Sequence, residues 1–236
     1  MPETMRMWVE VIFNIGYLVT VWALVGMMIR RLPRVARTDR SIARRFIWAF
    51  GLLALGDTGH VGFRVLAYAL GDLETTINLV GIQTSLVGLG ALSTAVTVTG
   101  FYVVMLLIWK QRFEKSYGWF EALLFAAAGA RLVLMVMPQN AWSQLVPPWP
   151  WSLYRNLPLM VQGLGVAYLI LRDALAHQDR TFIGIGVMIL ISYAFYTPVI
   201  LWVRHVPLLG MLMIPKTLAY VGIAVIAYRD LFLEQS

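Results

Sequence analysis

Inside an apolar run long enough to cross a membrane, the segment LGDTGHVGFR sets an aspartate, a histidine and an arginine three and four residues apart. At about 100° of rotation per helical residue, Asp57, His60 and Arg64 share one face, and Tyr68 continues the stripe. Two kinds of chemistry are open to these groups. A carboxylate and an imidazole one turn apart can share or relay a proton. A guanidinium nearby can hold an anion through charge-assisted hydrogen bonds. All three are costly in hydrocarbon unless paired or hydrated, so the stripe is expected to face the interior of a helix bundle. Gly56, Gly59 and Gly62 alongside it would let a second helix approach closely.

Two further cations sit inside apolar runs, Arg131 and Lys216. At a rise of about 1.5 Å per residue, Arg64 and Arg131 lie roughly 9 Å below the outer ends of their helices and Lys216 roughly 12 Å below. On the same scale His60 is about 15 Å deep and Asp57 about 20 Å. The expectation is a polar pocket in the outer half of the bundle, floored by Asp57 and His60 and rimmed by Arg64, Arg131 and Lys216. Tyr193, Tyr196 and Tyr220 would supply wall and hydrogen bonds, with Tyr220 one turn from Lys216 on the same face. Thr94 and Thr97 belong to the same level. Gln139 and Asn140, after Pro138, either touch a ligand at the mouth or cap a helix end. Asp57 can neutralise one cation and Glu10 a second, which leaves a surplus positive charge and favours an anionic guest.

The elements that would carry these residues follow from composition. Of 236 residues, 60% are hydrophobic and only 13% charged. A water-soluble domain needs more polar surface than that, whereas a lipid-facing helix needs no polar face. Seven spans are expected, at about 7–29, 46–70, 86–109, 118–137, 156–172, 181–203 and 208–230. The fold class is therefore all-α, a single polytopic seven-helix domain. The stretch from Leu79 to Leu92, interrupted by Gly81, Gly88 and Gly90, reads as loop or a bent helix start. Pro158, Pro198 and Pro215 fall inside spans, where each frees a backbone carbonyl.

The connections alternate in charge. RRLPRVARTDRSIARR, KQRFEKS and RDALAHQDR are basic, while GDLETTIN is acidic and PQNAWSQLVPPWPWSLYR aromatic and proline-rich. By the positive-inside rule the first, third and fifth are cytoplasmic, the N-terminus external and the C-terminus cytoplasmic. Trp142, Trp149 and Trp151 fit an outer aromatic belt, Trp109 and Trp119 an inner one. The style is that of a prokaryotic inner-membrane protein. The net charge is +7, and the basic residues cluster in short connections, which points to lipid headgroups and not to nucleic acid.

Several reaction classes are disfavoured. With no cysteine, thiol catalysis and cysteine-ligated metals are excluded. The three histidines, His60, His177 and His205, are scattered without metal-ligand spacing, so no metal site is expected. Ser93 and Ser192 have no histidine at a triad spacing, and there is no glycine-rich phosphate loop. No cofactor is legible from the residues alone.

Seven spans, an external N-terminus and Lys216 in the last span resemble the retinal-binding rhodopsins, in which that lysine forms a Schiff base. YAFYTP, Tyr193–Pro198, is similar to their aromatic–proline chromophore wall. The resemblance is architectural and covers no continuous motif. It implies retinal on Lys216 with Asp57 as counterion on span two, since span three has no Arg or Asp at depth.

The expected function is binding of a small or amphiphilic anionic ligand in an outer-facing intramembrane pocket, as sensor, carrier or complex subunit. The alternatives are an intramembrane enzyme acting on a lipid or isoprenoid with Asp57 and His60 as acid and base, the opsin-like reading, and a structural subunit with membrane-protein partners.

Overall fold

In the computed structural model, residues 3–79, 81–144 and 148–233 are described, with side chains from residue 12 onward apart from Leu79 and Ile82. The fold is all-helical, with one small hairpin. The order is α1 (Glu3–Arg31), α2 (Arg40–Leu70), β1 (Thr76–Leu79), β2 (Ile82–Ser85), α3 (Leu86–Arg112), α4 (Trp119–Val136), the single-turn α5 (Trp151–Tyr154), α6 (Leu157–Ala176), α7 (Arg180–Trp202) and α8 (Met213–Tyr228). Among the described residues seven helical stretches are long and apolar enough to cross a membrane: Ile12–Arg34, Arg40–Leu70, Leu86–Arg112, Trp119–Val136, Trp151–Ala176, Arg180–Trp202 and Pro207–Leu233. These mark a multi-pass membrane protein.

Three features differ from the sequence reading. Helix α2 starts at Arg40, six residues before the apolar run, because Ile42, Ala43 and Phe46 bury one face while Arg44 stays exposed. A hydropathy window registers only the hydrocarbon-crossing part of such a helix. The stretch before α3 is not a bent helix start. Thr76–Leu79 pairs antiparallel with Ile82–Ser85, Leu79 opposite Ile82. Gly81 takes φ +85° there, and its N–H is accepted by the Asn78 side chain at 2.8 Å. The last span opens as a 3-10 helix, Pro207–Leu212, before α8 proper. Pro158 and Pro215 fall in the first turns of α6 and α8, where a missing N–H costs nothing. Pro198 alone lies in a helix interior, that of α7.

Packing divides the chain into two units, one of residues 1–51 and 167–236, the other Leu52–Val166. In the first, α7 runs antiparallel to α8. A Cβ on Gly184 would meet Ile226 Cδ1 at 3.3 Å, and one on Gly222 would meet Met188 Sδ at 3.1 Å. Its buried side chains include Met28, Phe46, Phe182, Ile185, Ile189 and Ile223. In the second, α2 and α3 meet through small residues. A Cβ on Gly56 would overlap the Thr97 hydroxyl, one on Gly59 would crowd the Ser93 hydroxyl, and one on Gly90 would stand 3.0 Å from the His60 backbone. Gly62 has no neighbour that close, so two of the three glycines expected to admit a helix do so. Trp109 is buried to 1% exposure and belongs to this core, not to an inner aromatic belt, whereas Trp119 is 80% exposed.

Candidate functional site

Within Leu52–Val166, polar side chains of α2 and α4 converge on two turns of α3. The Thr94 hydroxyl lies 3.1 Å from the Gly56 carbonyl and 3.4 Å from Asp57 Oδ1, so the backbone oxygen is the better acceptor. Asp57 and His60 are both half-buried, on the stretch of α2 that Gly59 and Gly90 bring against α3. Arg64, one turn on, is half-buried, and its side chain makes no hydrogen bond, ion pair or ring contact among the described residues. Tyr68 is 48% exposed, so the polar stripe reaches the helix surface by that turn. The side chain of Glu10, a possible counter-charge, lies outside the described residues.

Arg131 is 3% exposed. Its Nε donates to the Arg155 carbonyl at 3.0 Å, and Nη1 donates to the Ala95 carbonyl at 3.0 Å and to the Thr99 hydroxyl at 2.7 Å. Thr99 in turn donates to the Ala95 carbonyl at 2.8 Å. The guanidinium therefore turns inward and ties α4 to α3 and to the residues leading into α6. It does not reach out to headgroups, although its depth would have allowed that. Gln162 extends the cluster. It is buried, and its amide lies 3.4 Å from the Thr99 carbonyl. Spacing in the sequence does not mark Thr99 or Gln162; the signal there is a lone amide at the middle of an apolar span.

Arg155 is half-buried with its guanidinium 4.6 Å from the Trp142 ring centroid. Asn140 is 1% exposed and caps α4, its amide donating to the carbonyls of Leu134 and Met137. Gln139 beside it is exposed. Of the two readings for this pair, the geometry of Asn140 is that of a cap. Asn140→Ala is expected to cost about 1 kcal/mol, read as a lowered unfolding midpoint in detergent.

The remaining predicted residues, Lys216, Tyr193, Tyr196 and Tyr220, belong to the other unit. The Lys216 ammonium lies 4.1 Å from the Tyr196 ring centroid and 5.8 Å from that of Tyr220. Lys216 is half-buried and has no carboxylate partner among the described residues. Tyr193, one turn before Tyr196 on α7, is 3% exposed. Ser192 beside it is buried, and its hydroxyl has no hydrogen-bond partner among the described residues. In the sequence, spacing and depth mark the lysine and the tyrosines, whereas nothing beyond the lack of a partnering histidine marks Ser192.

Comparison of the chain with protein-family models, with curated proteins and with solved structures gives no match.

Proposed function

We propose that this chain is a multi-pass protein of a prokaryotic inner membrane that binds a small or amphiphilic anion at Lys216. The basic first, third and fifth connections support a cytoplasmic C-terminus and an external N-terminus, which puts Lys216 in the outer half of the last span. One observation carries the binding reading: an ammonium inside a membrane span is met by two tyrosine faces and by no carboxylate among the described residues. Ring faces attract a cation by about 1–2 kcal/mol but do not neutralise it. A charge in hydrocarbon calls for an opposite charge or water, and a carboxylate or phosphate guest supplies the former. Its alkyl part would be compatible with the surrounding span, and the Ser192 hydroxyl is a donor on the same stretch of α7. Arg131 plays a different part, because three of its donors are committed to protein oxygens.

The test is titration of the purified full chain in neutral detergent with oleate and, separately, with oleyl alcohol, followed by intrinsic fluorescence. Oleate is expected to bind and the alcohol to bind at least tenfold more weakly. Lys216→Met should weaken oleate about 10- to 100-fold, the worth of one charge-assisted contact, with its unfolding midpoint unchanged. Equal oleate affinity in Lys216→Met would refute the assignment. Mass spectrometry of the extracted chain checks the opsin-like alternative, which requires a covalent adduct on Lys216.

A further inference from the structure

Three junctions gather four chain segments at one end of the unit formed by residues 1–51 and 167–236. Arg31 Nη1 donates to the Phe232 carbonyl at 3.4 Å, and its guanidinium lies 5.9 Å from the Tyr228 ring, so α1 ends beside the end of α8. The rings of Phe46 and Phe182 are 6.2 Å apart, so α2 starts beside the start of α7. Gly184 against Ile226 joins the start of α7 to the end of α8. The whole segment from Arg30 to Arg45, with seven arginines and no lysine, therefore shares one end with Arg180 and Arg229.

Some of this charge is spent on the fold. Arg40 Nη2 donates to the Pro33 and Val35 carbonyls at 3.0 and 3.1 Å and folds the first connection back on itself. Two of the local acids are also occupied. Asp173 is held by Arg172 at 2.8 and 3.2 Å, and Asp179 caps α7 by accepting from the Phe182 N–H at 3.0 Å. Asp39 and Asp230 are the other described acids at this end. Arg30, Arg34, Arg37, Arg44, Arg180 and Arg229 remain exposed, and their guanidinium groups make no hydrogen bond or ion pair among the described residues.

We infer that this end is a clamp for the phosphates of anionic lipids, built from guanidinium groups. Two features point to lipid rather than to a dissolved anion. Arg30 directly follows Ile29, which is 54% exposed, and Arg44 is one turn from Trp48, which is 65% exposed. On a membrane-crossing helix such side chains face acyl chains, so these arginines stand at headgroup level. The uniform choice of arginine points to phosphate recognition, because the planar fork binds two phosphate oxygens at once and lysine offers a point charge. Arginines drawn from separate segments favour a headgroup with two phosphates, as in cardiolipin.

The experiment reconstitutes the full chain in phosphatidylcholine vesicles with a minority of cardiolipin, then extracts it gently and measures retained lipid per chain by mass spectrometry. Cardiolipin is expected to be enriched over phosphatidylcholine in the wild type. Arg34→Gln, Arg37→Gln and Arg44→Gln combined should reduce that enrichment about 10- to 100-fold. The same three positions changed to Lys should keep the charge yet lose about tenfold. These side chains are exposed, so unfolding midpoints should match the wild type. Undiminished enrichment in the Gln variant would overturn the clamp, and so would a Lys variant equal to wild type, which would reduce it to bulk charge. Release of cardiolipin by millimolar inorganic phosphate would overturn the lipid assignment in favour of a soluble anion.

Discussion

Arg131→Met is expected to destabilise the fold by about 3 kcal/mol, the largest loss for any single side chain discussed above. Methionine roughly replaces the apolar stem but offers no donor. Removal of the guanidinium withdraws three hydrogen bonds at once, from the carbonyls of Arg155 and Ala95 and from the Thr99 hydroxyl. The site is 3% exposed, so water does not readily replace them. Individual side-chain hydrogen bonds within membranes average well under 2 kcal/mol, so the size of the effect rests on three bonds sharing one charged donor group. Arg131→Lys should recover only part of the loss, since an ammonium cannot span acceptors on two segments as the planar fork does. Urea or thermal unfolding of the full chain in detergent checks both variants. A midpoint for Arg131→Met equal to wild type would show that the three bonds are not formed in the membrane-extracted protein.

The second large effect is steric. Gly56→Leu should cost about 1–3 kcal/mol, because even the first carbon of the new side chain overlaps the Thr97 hydroxyl and stands 3.2 Å from the Thr94 Cα. The two helices would separate or rotate, and the Thr94 hydroxyl would leave the Gly56 carbonyl. Gly62→Leu, on the same helix with nothing within 4 Å, should be close to neutral and serves as the matched comparison. Gly56→Ala should lose less than Leu and should be partly rescued by Thr97→Gly, which removes the group it strikes. The coupling in that double-mutant cycle reads the α2–α3 contact directly. Equal stability of the Gly56 and Gly62 variants would mean that α2 and α3 do not meet through Gly56.

Residue types and their order were enough for the seven spans, for the polar face on the second and for the close approach through Gly56 and Gly59. Hydrocarbon forces this legibility: a crossing segment must be about twenty apolar residues long and must satisfy its backbone internally, so composition over a window decides it. The Thr76–Ser85 hairpin also left a trace, an alternation of polar and apolar residues over Thr76–Leu79 before Gly81, but four-residue strands beside a longer apolar run are easily absorbed into the helix signal. Other features were decided only in three dimensions. Arg131 could have snorkelled, Trp109 could have sat at an interface and Lys216 could have paired with a carboxylate. In the fold Arg131 meets carbonyls of neighbouring segments, Trp109 enters a core and Lys216 lies against tyrosine rings. The physical reason is that helical spacing fixes the azimuth at which a side chain leaves its own helix, whereas the resting place of a long head group depends on the acceptors and ring faces that other helices present at that depth.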